Sequence, residues 1–316
     1  MGFKCSRREI LTRAAGVTGG ALAAGAAAKA YAAEGPGETH PPAYCLNTGT
    51  IRGQNLTLDK EIEVAAKAGY QGIEPWVGSI DQYARAGGSL KDLAKRLGDL
   101  GLSVESAISF FEWIVDDDER RAKALERAKR DMDLVARIGG KRIAAPPAGA
   151  TGQAVDLLRA ADRYRVLLEL GGQMGVVPQL EIWGASKTLA RLGEAAMVAM
   201  ESGHPKACLL PDVFHMYKGG SSFEGLRLLS GGAIHVFHLN DYPATPPLDK
   251  ITDGDRVYPG DGVAPLRAIL RSLRDIGFRG MLSLELFNRD CWKLDALTVA
   301  STGLEKMKAV VRKSLA

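Results

Sequence analysis

Short apolar runs alternate with longer amphipathic stretches from residue 44 to the end of the chain. A short apolar run bounded by turn residues is typical of a buried strand, whereas apolar residues three or four positions apart are typical of a helix with one buried face. The pattern predicts strands at 44–51, 72–76, 103–109, 142–146, 176–183, 207–213, 234–240 and 281–287. It predicts helices at 58–68, 90–100, 117–138, 154–173, 187–202, 223–229, 265–276 and 294–313.

This regular alternation of strands and helices predicts a parallel sheet covered by helices. Eight repeats allow the sheet to close into a (β/α)8 barrel. An open doubly wound sheet is the alternative, but no predicted strand is followed by the G-x-G-x-x-G turn of dinucleotide-binding folds. We therefore predict an α/β protein with a single-domain TIM barrel over residues 44–316, preceded by a leader rich in proline and glycine at 34–43.

The first 33 residues have the features of an export signal. Arg7 and Arg8 form a twin-arginine pattern, the run at 11–28 is weakly apolar and lacks acidic residues, and Ala30-Tyr-Ala32 fits an A-x-A cleavage site. A membrane anchor is the weaker interpretation, because glycines interrupt the run and it is short for a span. We expect residues 1–33 to be removed and the mature protein to be periplasmic or secreted.

The formal net charge of +4 comes from this signal. Residues 1–33 contain five basic residues and one acidic residue, which leaves 36 of each kind in the rest of the chain. A neutral mature chain without a basic run gives no electrostatic reason to bind nucleic acid or anionic membranes, so we expect neither partner and no stable membrane span after signal removal. The oligomeric state, including a homo-oligomer, stays open. Cys45, Cys208 and Cys291 favour buried thiols over a disulfide framework.

Polar residues occur near the ends of the last four predicted strands. Glu181 interrupts the apolar run of the fifth strand and Asp212 closes the sixth. His238 lies at the exit of the seventh, and Glu285 lies on one face of the eighth. Taken singly, such residues are usually salt-bridged or cap a helix. Three carboxylates buried together repel one another unless a cation neutralises them, so the set predicts a divalent metal site at the carboxyl ends of the strands.

With these motifs the chain resembles the sugar phosphate isomerase/epimerase superfamily. These xylose isomerase-like TIM barrels include ketose 3-epimerases, hydroxypyruvate isomerases and inosose dehydratases. The resemblance covers the whole predicted barrel. It rests on Ala68-Gly-Tyr-Gln-Gly-Ile-Glu74, Leu180-Glu181, Asp212-x-x-His215, His238-Leu-Asn-Asp241, Arg256-Val-Tyr-Pro-Gly-Asp-Gly262 and Leu284-Glu285.

The resemblance implies a metal-dependent enzyme. It implies that Glu181 and Glu285 form an acid–base pair, that His215 and Arg256 contact substrate oxygens, and that one divalent cation is bound by Glu181, Asp212, His238 and Glu285. Three carboxylates and an imidazole are harder ligands than the sulfur-rich sites that zinc favours. We therefore expect Mn2+, with Mg2+, Co2+ or Zn2+ as alternatives.

Two further residues are candidates for substrate contact. Glu74 ends the second predicted strand, where a buried hydrogen-bonding role is the first interpretation and a substrate contact the second. Trp113 belongs to a group of aromatic residues just beyond strand ends that either stack on a sugar ring or pack at the barrel rim: Trp76, Phe110, Phe111, Trp113 and Trp292. Trp183 departs from the resemblance, because many relatives carry Asn or His there, and it leaves the substrate contacts on that side open.

The expected reaction is proton abstraction next to a carbonyl through a metal-stabilised enediolate, in a sugar isomerase or epimerase. Export and the lack of a Walker-type loop favour a non-phosphorylated keto-sugar or cyclitol, and the Lys218–Ser222 turn is better explained as a plain loop than as an anion site. The alternative is a lyase or dehydratase acting by β-elimination on a 3-keto-sugar, keto-glycoside or inosose.

Three other classes fit the sequence less well. A non-catalytic exported sugar-binding protein has no need of both Glu181 and Glu285. Five histidines are too few for a multi-zinc endonuclease. A metal-free glycosidase uses two glutamates but has no need of Asp212 and His238 beside them.

Overall fold

The computed structural model describes residues 42–316, and the predicted export signal lies outside these residues. Eight parallel strands occur in the described part of the chain. They are β1 (Ala43–Asn47), β2 (Gly72–Glu74), β3 (Ser103–Val104), β4 (Arg142–Ala145), β5 (Val177–Glu181), β6 (Leu209–Leu210), β7 (Val236–His238) and β8 (Met281–Leu284).

The strands form two arcs of one barrel. The five-strand arc has the order β3-β2-β1-β8-β7, and the three-strand arc has the order β4-β5-β6. Backbone hydrogen bonds join the arcs at two seams. At the β3/β4 seam the Ala144 N–H donates to the Ala107 carbonyl at 2.8 Å, and at the β6/β7 seam the His238 N–H donates to the Pro211 carbonyl at 3.0 Å. The predicted closed (β/α)8 barrel is therefore confirmed.

Helices follow the strands, as the amphipathic pattern predicts. Within residues 42–316 they are α1 (Leu58–Ala68), α2 (Val77–Arg85), α3 (Leu90–Asp99), α4 (Asp118–Arg137), α5 (Leu157–Met174), α6 (Leu192–Glu201), α7 (Val213–Lys218), α8 (Leu266–Asp275) and α9 (Ala296–Leu315). The start of α4 illustrates the local cause. The Asp117 carboxylate accepts from the Arg120 N–H at the N-cap, and two acidic residues occupy the first turn, where they interact favourably with the helix dipole.

The structure differs from several predicted element boundaries; the third strand, for example, ends at Val104 rather than at residue 109. The first strand ends at Asn47 rather than at residue 51, because the Asn47 side chain accepts from the Gly49 N–H and caps the 3-10 helix Thr48–Gln54. The sixth strand stops before Asp212, which caps α7 by accepting from the His215 N–H. The helix predicted at 223–229 is the 3-10 helix Phe223–Leu228. The pattern also missed α2 altogether.

Part of the barrel interior is apolar. Four side chains form a buried cluster, and Trp76 and Phe110 pack against it; the cluster consists of Ile108, Ala144, Leu210 and Val236. The three cysteines of the described chain are buried free thiols. No helix between residues 42 and 316 has the length and apolar character needed to cross a membrane.

Candidate metal centre

Four strand ends bring the predicted ligands to the mouth of the barrel. Glu181 is the last residue of β5 and His238 the last of β7, whereas Glu285 directly follows β8 and Asp212 lies two residues after the end of β6. All four side chains are buried. One ligand atom each from Glu181, His238 and Glu285 lies within 4.8 Å of the others. These three residues therefore form a group that a single metal ion could join.

His238 is held at both ring nitrogens by carboxylates. Its Nε2 atom is 2.9 Å from Oε2 of Glu74. Its Nδ1 atom lies 3.2 Å from Oε2 of Glu285 and 3.5 Å from Oδ2 of Asp212. Burial lowers the pKa of His238, but the charges of Glu285 and Glu74 outweigh burial and raise the pKa well above its ordinary value.

Two buried polar atoms of this group lack a hydrogen-bond partner. They are Oε2 of Glu181 and Nδ1 of His238, which is close to two carboxylates without the alignment of a hydrogen bond. Unsatisfied buried polar atoms are costly, and a cation bound between them would satisfy both. Burial and the nearby charge of Glu285 also raise the pKa of Glu181 well above its ordinary value. The donor set of carboxylate oxygens and one imidazole nitrogen therefore fits a divalent metal.

Asp212 lies beside this group and is already hydrogen-bonded. Its Oδ1 accepts from the His215 N–H at 2.7 Å, and its Oδ2 accepts from Nδ2 of Asn240 at 2.8 Å and from Nη1 of Arg256 at 3.0 Å. Burial opposes ionisation of Asp212, but Arg256 and His238 outweigh it and lower the pKa of its carboxyl far below its ordinary value. Asp212 is therefore a carboxylate at neutral pH, available to a metal once Oδ2 turns from Arg256.

Arg256 is a buried cation among these acids. Its Nη1 donates to Oδ2 of Asp212 and, at 2.8 Å, to Oε2 of Glu285, while its Nη2 is 3.0 Å from Nε2 of His215. Nη2 also donates to the carboxylate of Asp253. Burial lowers the pKa of His215, and the Arg256 charge lowers it further, so His215 is neutral and can accept from the guanidinium.

A cavity of about 320 Å3 opens above these residues. Its polar lining includes Glu181, Glu285, His215 and Asp253. The rest of the lining is mainly apolar and consists of Trp76, Ile108, Phe110, Thr151, Trp183, Ala185, Ser186 and Phe287. The two glutamates that the resemblance assigns as acid and base thus face the same cavity.

Glu74 and Trp113, the further substrate-contact candidates, lie away from this cavity. Glu74 is buried below His238, where its Oε2 also accepts from Nδ2 of Asn47 and Oγ of Ser283, each at 2.9 Å. Trp113 is 1% exposed and donates through Nε1 to the Pro146 carbonyl at 2.8 Å. The prediction that Trp113 contacts substrate is therefore not supported, because its ring is packed in the core. Arg256 is also fully buried and does not line the cavity.

Two groups of functional residues were missed from the sequence. Asn47 and Ser283, which hold Glu74, lie inside predicted strands, where the pattern gives no sign of a polar network. Asp253 lies in an exposed turn of the long loop after β7, and its side chain is 52% exposed. Phe287 was predicted only as the last residue of the eighth strand, and no role was assigned to it. For Asp253, the nearby Arg256 in the same motif was the available signal.

Asp241 organises the loop that carries Arg256. Its carboxylate accepts from the backbone N–H groups of Tyr242, Gly260, Gly262 and Ala264, at 2.8, 2.9, 3.1 and 2.9 Å. A side chain at residue 262 would clash with the Tyr242 carbonyl and this carboxylate, so only glycine fits there. The motif that ends in Asp241 thus supplies both a candidate ligand and a fixed loop.

Comparison with known proteins agrees with this geometry. Residues 62–310 match the family described as xylose isomerase-like TIM barrel. The chain belongs to this family. An inosose isomerase from Bacillus velezensis is 29% identical over 276 residues, which cover 85% of this chain and 97% of that protein.

Two further relatives bear on chemistry and metal. A 3-dehydroshikimate dehydratase from Pseudomonas putida is 25% identical over 73% of this chain, but the match spans 36% of that longer protein. A crystal structure of the IOLI protein with a binding zinc atom superposes with a TM-score of 0.79, at 27% identity over 86% of this chain and 99% of that one. A protein that is structurally similar to this chain thus binds a zinc atom.

Proposed function

We propose that this protein is a divalent-metal-dependent isomerase or epimerase of a non-phosphorylated keto-sugar or cyclitol. One observation carries the proposal: Glu181 and Glu285 face one cavity, and unpartnered atoms of Glu181 and His238 lie beside Glu285. The similarity to inosose isomerase over most of both chains supports this class of reaction. On the basis of the predicted signal at 1–33, we also propose that the enzyme acts outside the cytoplasm.

Glu181, Asp212, His238 and Glu285 would hold the metal. When bound, a divalent cation stabilises the negative charge that develops on a substrate oxygen during proton abstraction. The oxygen-rich donor set favours Mn2+, although the zinc atom bound to the IOLI protein makes Zn2+ a serious alternative. Glu74 would fix the orientation of His238 through the bond to Nε2.

The surroundings of the two cavity glutamates separate their roles. Burial raises the pKa of both carboxyls, but at Glu285 the charges of His238 and Arg256 outweigh burial and lower the pKa below its ordinary value. At Glu181 burial and the charge of Glu285 outweigh the charge of His238, and the pKa is raised. Glu285 is therefore the better base. We assign Glu285 as the base that takes the proton and Glu181 as the second member of the acid–base pair, which holds a proton only while it is not bound to the metal.

The charges around the cavity favour a neutral substrate. Among the described residues that line it, the ionised groups are acidic, and no lysine or arginine is exposed to the cavity. Lys218, in the loop considered as an anion site, instead donates to the carbonyls of Leu248 and Ile251 at 2.7 and 2.9 Å. A phosphate or carboxylate on the substrate would have no cationic partner in this lining, so an uncharged polyol ring fits best.

A dehydratase acting by elimination is the second candidate. The same pair, Glu285 and Glu181, would remove a proton and protonate a departing β-hydroxyl. The similarity to 3-dehydroshikimate dehydratase favours this reaction class, although the acidic lining disfavours a carboxylate substrate.

The test combines metal analysis with isotope exchange. The mature protein is purified without added metal, analysed for bound divalent ions, and incubated with a panel of keto-sugars and inososes in deuterated water. We expect about one metal per chain and solvent deuterium at carbon in an otherwise intact sugar, whereas loss of water would select the dehydratase. Glu285→Gln should lower the exchange rate about a thousandfold, and exposed Glu201→Gln should not change it. A metal-free protein, or full exchange in Glu285→Gln, would contradict the proposal.

A further inference from the structure

Four aromatic rings surround the outer part of the cavity above the candidate metal centre. The ring centroids of Trp76 and Phe110 are 5.1 Å apart, those of Phe110 and Trp183 are 5.8 Å apart, and those of Trp76 and Phe287 are 6.2 Å apart. All four side chains line the cavity and are half-buried. We name Trp76, Phe110, Trp183 and Phe287 the aromatic wall.

We propose that the aromatic wall is a subsite for a flat aromatic substituent on the substrate, so that the sugar ring held at the metal centre carries an aryl aglycone. This inference rests on the proposed function, because it places the reacting sugar next to Glu181 and Glu285. It defines the substrate class as aryl keto-glycosides rather than free monosaccharides.

Trp76 and Phe110 are held in place by neighbouring residues and also line the cavity. The Arg52 guanidinium stacks over Trp76 at 4.6 Å, and Nε1 of Trp76 donates to Oδ1 of Asn47 at 3.4 Å. Trp76 and Phe110 also pack on the buried cluster inside the barrel. Rigid aromatic side chains lose little conformational entropy on binding, and tilted or edge-on ring contacts are favourable. The wall therefore offers preformed contacts to a planar ring.

Few polar groups accompany the wall. Its neighbours in the lining include Ile108 and Ala185, and the hydroxyl of Ser186 already accepts from the Thr188 N–H at 3.1 Å. Thr151 is the remaining hydroxyl in the described lining on this side. A second sugar would bring several hydroxyl groups that need partners, and buried hydroxyls without partners are costly. An aromatic ring therefore fits the lining around the aromatic wall better than a second sugar does.

Trp183 connects the wall to the reacting end of the cavity. It lies two residues after Glu181 and lines the same cavity. A substituent on the wall is therefore adjacent to a sugar that contacts Glu181. A cavity of about 320 Å3 is at the small end of ligand pockets, roughly 300–1,000 Å3, and suits one sugar with one ring.

The test compares glycosides by calorimetric binding to the Mn2+-loaded full chain. Phenyl and methyl β-glycosides of glucose, galactose and xylose are compared in pairs, with cellobiose as the disaccharide. We expect the phenyl glycoside of at least one pair to bind roughly tenfold or more tightly than its methyl counterpart, and more tightly than cellobiose. Phe110→Leu should remove most of this preference and leave methyl glycoside binding unchanged, Phe110→Trp should retain it, and Phe223→Leu, outside the wall, should behave as wild type.

Several outcomes overturn the subsite. Equal affinity for phenyl and methyl glycosides would contradict it. So would an equal loss of affinity for both glycosides in Phe110→Leu, or the absence of binding by any glycoside. Tighter binding of cellobiose would assign the wall to a second sugar instead. These results are independent of the isotope exchange. If the enzyme exchanges deuterium into free keto-sugars but does not prefer phenyl glycosides, the proposed function is retained and only the proposed subsite is contradicted.

Discussion

Oε2 of Glu74 lies 2.9 Å from Nε2 of His238, and this contact directs the opposite ring nitrogen, Nδ1, toward Glu285 and Asp212. A buried carboxylate behind a histidine fixes the ring orientation and makes the free nitrogen a better metal ligand. The same Oε2 is held by Asn47 and Ser283, so the histidine is oriented by a network that begins on β1.

We predict that Glu74→Gln weakens metal binding by about 10- to 100-fold. The amide keeps the shape of the carboxylate but removes the charge that favours a hydrogen on Nε2. Isothermal titration with Mn2+ and with Zn2+ measures the change, and Glu201→Gln is the exposed control. Unchanged affinity in Glu74→Gln would show that Glu74 does not act through His238.

Metal binding should become tighter as pH rises through neutrality. The pKa values of Glu181 and His238 are raised, so both groups hold protons that a metal ligand must release. Each released proton should add up to about tenfold in affinity per pH unit. Titrations in buffers of different ionisation enthalpy count the protons. Glu181→Gln should release fewer protons than wild type, and an equal count would remove Glu181 from the ligand set.

Replacement of Asp241 should lower the stability of the protein and impair substrate binding. Asp241→Ala leaves four backbone N–H groups without their acceptor, which should lower the free energy of unfolding by about 3 kcal/mol. The loop also carries Arg256, so KM should rise in addition. Urea unfolding and steady-state kinetics measure both effects. Asp249→Ala, an exposed position in the same region, should change neither.

Glu61 should make the protein less stable at alkaline pH. This side chain on α1 is buried, its Oε2 has no partner, and burial raises its pKa from 4.5 to about 8. The folded state therefore holds a proton that the unfolded state releases, so stability is full below about pH 4.5 and falls as pH rises toward 8.

The variant Glu61→Gln cannot lose this proton and should be about 4 kcal/mol more stable than wild type at pH 8. Near pH 4.5 the two should differ little. Urea unfolding across this pH range measures the slopes, and exposed Glu305→Gln should follow wild type. Parallel pH profiles for Glu61→Gln and wild type would contradict a buried, protonated Glu61.

The fold was predictable because every strand and most of the helices have a recognisable local sequence pattern. Alternating apolar runs give the number of repeats, and eight parallel repeats close in one way. Boundaries failed where a side chain overrode the pattern. At Asn47 and Asp212 a polar side chain captures a nearby N–H and starts a helical turn, although the following residues are apolar enough for a strand.

The candidate site was predictable in its charged residues but not in their connections. Carboxylates at strand ends stand out in an apolar run, so Glu181 and Glu285 were found. The bridging of Asp212 and Glu285 by Arg256 depends on how a loop folds back over the barrel, which no local pattern specifies. For the same reason Trp113 looked like a rim residue, whereas its N–H reaches the Pro146 carbonyl and the ring turns inward.

The candidate metal centre draws its ligands from both arcs of the barrel. Glu181 and Asp212 belong to the end of the three-strand arc, whereas His238 and Glu285 belong to the five-strand arc. The β6/β7 seam between them is held by isolated bridges rather than by a continuous ladder. An ion bound by all four side chains would link the two arcs across this seam. Opening of the barrel at this seam would then separate the ligands, so loss of the metal and loosening of the seam would accompany each other.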